Sequence, residues 1–258
     1  MPLERTFGTL TQIGGGYHSV VYADEHDQII KVYKHNNGLN KLEASNMIRA
    51  GLGDWVVGTP TIAGQEALVM RRFEGAPIHA TTIAPALPAL GEFLRQLHAP
   101  KYTRVVQTPL KQKLERFREQ LEPYPELEPM FMLVHQALDS GLLEVPSAFC
   151  HLDLWFENIL FAPPHQVRVV DWHKAALDDP ARDYALLFTG TLELLPIEEA
   201  TTAIKELTAR EDTVLERLPA YVALTTLHDL YWFSQKQPAG FAAAFELKVP
   251  RIQWFLEH

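Results

Sequence analysis

Over the first seventy positions apolar residues alternate with polar ones or fall in short runs. Thr9-Leu10-Thr11-Gln12-Ile13 and Val20-Val21-Tyr22 flank Gly14-Gly15-Gly16-Tyr17-His18-Ser19, which predicts two strands joined by a glycine turn. A polar turn at Asp24 to Asp27 then leads into a third strand, Ile29-Ile30-Lys31-Val32-Tyr33, completing a meander. Leu42, Met47 and Ile48 fit a helical period from about Leu39, with Gly51 placed to end it. Short strands are expected around Val56-Val57 and Ala67-Leu68-Val69-Met70.

Past Glu74-Gly75-Ala76-Pro77 the period changes. Leu90 to His98, Leu110 to Leu121 and Leu127 to Leu142 carry apolar residues three and four apart, as helices on a globular core do. Two β-like runs, Ile159-Leu160-Phe161 and Val167-Arg168-Val169-Val170, interrupt the helices, which resume from Pro180. This divides the chain into a β-rich lobe over 1–73 and a larger, mostly helical lobe over 74–258, an α+β arrangement.

Chemistry concentrates in the interruption. Phe149-Cys-His-Leu-Asp-Leu-Trp-Phe-Glu-Asn158 holds His151, Asp153 and Asn158, and Asp171 follows the second strand. A hairpin between the strands brings Asp153, Asn158 and Asp171 to one mouth. Amide and carboxylate oxygens there suit a hard divalent cation such as Mg²⁺, which takes few protein ligands beside substrate phosphates. Asp153 is then available to orient an acceptor hydroxyl. The competing reading is an acidic loop with a helix cap and a core histidine. Gly14, Gly15 and Gly16 suit phosphate oxygens, but equally an ordinary hairpin turn. Lys31, between Ile30 and Val32, needs solvent at a sheet edge or an anionic partner, for which Glu43 is placed.

In this order, glycine hairpin, strand lysine, helix glutamate, hinge, His-x-Asp-x4-Asn and Asp after a strand, the chain resembles the aminoglycoside phosphotransferase and choline kinase superfamily over residues from about 9 to 190. The resemblance implies a bilobal protein-kinase-like fold and transfer of the γ-phosphoryl group of ATP, or GTP, to a hydroxyl of a small molecule with Mg²⁺. It implies that Lys31, paired with Glu43, contacts the α and β phosphates, that Gly14 to Ser19 cover them, and that Met70, Arg71 and Phe73 form the hinge beside the base. Asn158 and Asp171 would bind the metal, Asp153 would act on the acceptor, and His151 would brace the catalytic loop. Asp178-Asp179-Pro180-Ala-Arg-Asp183 resembles an element whose last acid supports that loop, and also reads as a helix N-cap. Two positions depart from the pattern: Leu152, where the family has a small or polar residue, and His173, at a variable position.

The 258 residues, 47% apolar and 21% charged, are those of a folded globular chain, and the net charge of −9 argues against nucleic-acid or anionic-membrane partners. One cysteine, Cys150, permits no internal disulfide, and there is no targeting or membrane-spanning segment, so a cytoplasmic monomer or homodimer is expected. Between Asp178 and Arg217 ten acidic residues face four basic ones, and His228-Asp229-Leu230-Tyr231-Trp232 sets aromatics beside a carboxylate. If they line the cleft, these features favour a cationic acceptor such as an aminoglycoside or choline; a solvated helix face and a core aromatic cluster are the competing and more common readings. Asp153-Leu154-Trp155 resembles sugar-amine kinases and Asp171-Trp172 macrolide phosphotransferases, leaving antibiotic resistance and metabolism both open as roles. Two other classes compete: a nucleotide-binding regulator without turnover, and a hydrolase using Cys150 and His151.

Overall fold

The computed structural model describes residues 8–105, 108–209 and 211–258. Its first layer is an antiparallel sheet of β1 (Leu10–Gly15), β2 (Ser19–Asp24), β3 (Gln28–Tyr33), β4 (Val56–Gly58), β5 (Thr61–Ile62) and β6 (Gln65–Arg71), in the order β1-β2-β3-β6-β4 with β5 on β6. β3 is therefore interior. Ile30, Val32, Ala67 and Val69 close one face, while Tyr33 and Leu68 join the main core. Helix α1 (Leu39–Arg49) packs across this sheet and ends at Ala50, with Gly51 at φ 79° supplying the left-handed residue that stops it.

Gly14 and Gly15 are not in the turn but in β1 itself, opposite Val21 and Val20, and the register slips at Ile13. Gly16 to His18 alone make the turn, closed by the Gly16 N–H donating to the Ser19 carbonyl at 2.9 Å.

The chain leaves the sheet through Gly75. A Cβ there would lie 2.4 Å from the Phe73 ring and 3.0 Å from the Phe161 backbone, so only glycine allows this crossing. β7 (Ala76–Pro77) then pairs with β9 (Ile159–Ala162), itself paired with β10 (Gln166–Val169), while β8 (Ala148–Cys150) pairs with β11 (Ala176–Asp178). Around these lie α2 (Ile83–His98), α3 (Thr108–Leu121), α4 (Glu128–Asp139), α5 (Pro180–Gly190), α6 (Ile197–Thr208), α7 (Asp212–Lys236) and α8 (Pro238–Glu257). Helix α2 begins seven residues before its obvious period: Pro85 falls in the first turn, where its missing N–H costs nothing, and Pro88 is carried inside the helix. A small sheet with one helix, followed by a larger helical part, is the architecture of the kinase-like fold.

Candidate active site

Lys31 and Tyr33 lie two apart on β3, so both side chains leave the same face, toward α1. The Lys31 ammonium donates to Glu43 Oε1 and Oε2 at 2.9 and 2.7 Å and to Asp171 Oδ1 at 2.9 Å. Tyr33 adds its hydroxyl to Glu43 Oε2 at 2.5 Å. Lys31 is 6% exposed and Glu43 1%, so an isolated charge at either position would be costly; together they are compensated. Burial pulls the Lys31 ammonium down, but Glu43 and Asp171 outweigh it and hold its pKa above the usual lysine range. Burial likewise pushes the Tyr33 hydroxyl up, and Glu43 adds to that.

The catalytic-loop segment is fixed from beneath by Asp183. This fully buried carboxylate on α5 accepts from the His151 N–H at 2.8 Å, the Leu152 N–H at 2.7 Å and His98 Nε2 at 2.9 Å. Burial raises its pKa, yet the bond and charge of His98 prevail and hold it below the usual carboxylate range. Leu152 takes φ 61°, the left-handed conformation that a small residue adopts more easily. The turn delivers Asp153 to the mouth, where its Oδ1 accepts from Lys174 Nζ at 2.9 Å. Asn158 Nδ2 donates to the Asp153 carbonyl at 2.9 Å and to Asp153 Oδ2 at 3.3 Å, which turns the Asn158 Oδ1 acceptor away from these bonds.

Asp171 follows β10 with φ 66° and opens a short 3₁₀ turn, Trp172–Lys174. Trp172 is sealed in the core against the edge of the His151 ring, and Asn46 on α1 donates to the carbonyls of Trp172 at 2.9 Å and Ala175 at 3.1 Å. Asp171 Oδ1 takes the bonds from Lys31 and from His173 Nδ1. Burial raises the Asp171 pKa, but His173 and Lys31 override it and keep the carboxylate ionised far below the usual range. Asp171 Oδ2 and Asn158 Oδ1 thus remain as two oxygen acceptors without a protein donor among the described residues, a donor set that fits Mg²⁺. The tip of the glycine turn reaches this segment, with the His18 ring 5.4 Å from that of His173.

The strand lysine, helix glutamate, loop aspartate, asparagine and second aspartate therefore converge, although 140 positions separate Lys31 from Asp171. At the hinge, Met70 is half-buried in β6, Arg71 is exposed at its end, and Phe73 packs on Trp55 at 6.0 Å, with the Arg168 guanidinium over Trp55 at 4.0 Å. Ser19 is buried in β2 opposite Tyr33.

His151, which the resemblance implies braces the catalytic loop, is fully buried, with Nε2 3.0 Å from the Val170 carbonyl, and burial lowers its pKa. Other expectations need correction. Cys150 is buried with its thiol pushed well up by burial, first of all, and by the nearby carboxylates, which removes it as a nucleophile. Several of the acids from Asp178 onward are engaged within the protein. Asp178 pairs with Arg182, Asp179 caps α5 and pairs with Arg217 at 2.7 Å, Glu193 meets Lys248 at 2.8 Å, and Glu211 accepts from Tyr184 at 2.6 Å. Glu198, Glu199, Glu206 and Glu216 lie on exposed helix faces; Arg210 and the side chain of Asp212 lie outside the described residues. Asp229 is likewise engaged, by Lys248 at 3.2 Å, and Tyr231 stacks on Phe117 at 4.8 Å.

Tyr33, Asn46, His98 and Lys174 were missed from the sequence. Two carried a signal: Tyr33 stands two positions from Lys31 on a strand, and Asn46 three from Glu43 on a helix, so each shares its neighbour's face.

No described helix is long and apolar enough to cross a membrane. A search of curated proteins found no match. Among solved structures, a choline/ethanolamine kinase family protein from Mesorhizobium loti superposes with TM-score 0.72 at 21% identity, covering 100% of this chain and 92% of that one. The GDP complex of aminoglycoside 2′-phosphotransferase-IIIa gives 0.69 at 17%, covering 96% and 93%. The choline kinase LicA from Streptococcus pneumoniae gives 0.68 at 18%, covering 97% and 97%. At these identities the likeness speaks to the fold, which is kinase-like. The phosphotransferase enzyme family (APH) matches residues 9–221, most of the chain, and the protein belongs to that family.

Proposed function

We propose that the protein is a small-molecule kinase that transfers the γ-phosphoryl group of a nucleoside triphosphate, ATP by default, to an acceptor hydroxyl. The observation that carries this reading is the Lys31 ammonium bonded at once to Glu43 and Asp171, with Asp153 and Asn158 at the same mouth. Lys31 would hold the α and β phosphates, and the Gly14–Ser19 segment would cover them with backbone N–H groups. Asn158 Oδ1 and Asp171 Oδ2 would hold Mg²⁺, which when bound neutralises developing charge on the phosphates. Asp153 would orient the acceptor and take its proton as the oxygen bonds to the γ-phosphorus and the bond to the bridging oxygen breaks, releasing the nucleoside diphosphate. Lys174, bonded to Asp153, holds that carboxylate toward the mouth. Most of the rate enhancement on this reading comes from positioning and charge, not covalent chemistry.

The test is Mg²⁺-dependent nucleotide consumption with a panel of hydroxyl acceptors, alongside thermal unfolding with Mg-ATP. Acceptor-stimulated turnover supports the proposal. A rise in melting temperature with ATP and no turnover for any acceptor would instead favour a nucleotide-binding regulator.

A further inference from the structure

Two histidines that the proposed chemistry leaves unused meet beside Asp171. His173 stands on the 3₁₀ turn Trp172–Lys174, its side chain 14% exposed, with Nδ1 bonded to Asp171 Oδ1. A carboxylate oxygen can only accept, so Nδ1 carries the proton of that bond and, in the neutral ring, Nε2 carries the lone pair. Nε2 has no hydrogen-bond partner among the described residues. His18 comes from the β-sheet part, at the exposed tip of the glycine turn. Its ring centroid lies 5.4 Å from that of His173, with the two planes inclined at 60°, and its ring nitrogens also have no hydrogen-bond partner among the described residues.

A carboxylate that takes the N–H of one ring nitrogen is what orients a metal-ligating imidazole, because it fixes the tautomer and aims the other nitrogen at the ion. Asp171 does this for His173. Two imidazoles bound to one ion at about 2 Å, with a tetrahedral angle between them, have ring centroids about 5 Å apart. The 5.4 Å between His18 and His173 is close to that separation. Charge favours a cation at the same place: Glu43 and Asp171 share one ammonium, Lys31, so a negative charge is left over beside the rings. Glu43 is not itself available as a ligand, although one of its oxygens lies within 4.8 Å of ligand atoms of Asp171 and His173, because Lys31 and Tyr33 hold both of its oxygens. Imidazole nitrogens prefer zinc and its first-row neighbours, whereas Mg²⁺ prefers oxygen.

We infer that His18 and His173 form a site for a nitrogen-preferring divalent ion of the zinc type, separate from the oxygen pair of Asn158 and Asp171. Asp171 Oδ1 orients His173 from behind and is not a ligand of this ion. Two protein ligands leave the other positions of a tetrahedral ion to water or to an oxygen of a bound molecule. One histidine stands on the glycine turn and the other on the turn after β10, so the ion ties these two segments together across the mouth. The site requires neither nucleotide nor turnover, and it stands or falls independently of the kinase reading.

The experiment titrates the untagged full chain with Zn²⁺ by calorimetry at neutral pH, without nucleotide and with Mg²⁺ in excess. Backbone hydrogen exchange is followed by mass spectrometry with and without Zn²⁺. The expected result is one Zn²⁺ bound per chain despite the Mg²⁺, with slower exchange over residues 14–19 and 171–175. His18→Ala and His173→Ala should each weaken binding about tenfold or more, at least the effect of losing an outer-shell partner. His165→Ala, at an exposed histidine on the β9–β10 connection, should leave it unchanged. His18 is exposed, so its replacement tests the site without a cost to folding. His173→Ala carries the sharper readout: it should abolish the zinc-dependent slowing over residues 14–19, which belong to the other segment. Unchanged binding in either variant, displacement of Zn²⁺ by Mg²⁺, or exchange over residues 14–19 that Zn²⁺ does not slow would overturn the inference.

Discussion

Replacing Asp183 by Asn separates the support of the active site from its chemistry. In the protein Asp183 Oδ2 serves the His151 N–H and His98, and Oδ1 serves the Leu152 N–H. An asparagine can keep its oxygen on one side only, so its NH₂ must face a buried N–H on the other. A stranded buried donor costs about 1–3 kcal/mol, and the surviving bonds weaken because the acceptor is no longer ionised. The expected loss is about 2–4 kcal/mol, a large share of the ~5–15 kcal/mol that stabilises a typical domain. Urea unfolding followed by tryptophan fluorescence reads this directly, since Trp172 packs on His151. The pH dependence adds a second check. The folded-state pKa of Asp183 is lowered, with His98 overriding the burial, so its contribution is fully present above the ordinary carboxylate pKa and is lost as pH falls through the folded value. The gap between the protein and Asp183→Asn should therefore be constant from neutrality to about pH 5 and shrink in stronger acid. A stability loss under about 1 kcal/mol, or a gap that widens on acidification, would refute the assignment of Asp183 as the anchor of the loop.

Asp153→Ala is expected to reduce transfer by about 10²–10⁴-fold while nucleotide affinity stays within a few-fold; equal loss of both in paired kinetic and binding measurements would remove it from the acceptor side. Asp171→Ala should weaken Mg²⁺-nucleotide binding by titration calorimetry, and an unchanged metal dependence would strike it from the ligands. Glu43→Gln leaves the buried Lys31 ammonium with Asp171 as its only full counter-charge; a cost of about 3–5 kcal/mol is expected in denaturant unfolding, and a neutral outcome would contradict the pairing. At Leu152 the usual order of Ala over Gly should invert, with Leu152→Gly more stable than Leu152→Ala by about 1 kcal/mol, because only glycine relieves the left-handed backbone; Ala the more stable would show that no strain is held there.

What could be read from the sequence depended on the range over which its cause acts. The β-meander, α1 and the helical part follow from local periodicity, and they were legible. The glycine turn was misplaced because glycines without side chains suit a strand facing solvent as well as a turn, and β1 is exposed along nearly all its length. β7, β8 and β11 are too short to show a period; each exists only because a distant strand pairs with it. The same limit governed the acids beyond Asp178. Their number is a property of the sequence, but whether they face a ligand depends on Arg182, Arg217, Lys248 and Tyr184, which tertiary packing brings to them. The candidate residues Lys31, Asp153, Asn158 and Asp171 stand out in the sequence because their types and spacing are unusual together. Lys174, an ordinary surface lysine by sequence, gains meaning only from its bond to Asp153.

On the proposed reading, the bonds of Lys31 would constrain how a triphosphate enters. An ammonium has three donors, and here Glu43 takes two and Asp171 one, so a phosphate oxygen that contacts Lys31 must displace or share one of them. Glu43 is held by Tyr33 as well and is almost wholly buried, whereas the Asp171 side chain is 34% exposed. The bond to Asp171 is the one that can yield, and a carboxylate released from Lys31 is free to turn toward a cation shared with Asn158. On the proposed kinase reading, nucleotide and metal binding would then be coupled through one ammonium: a phosphate contact at Lys31 would weaken its hold on Asp171 Oδ1 and leave that carboxylate freer to hold a metal ion. Asn46 sets the limit of that movement. It ties α1 to the Trp172 and Ala175 carbonyls, so the backbone on either side of this exchange stays fixed while the side chains trade partners.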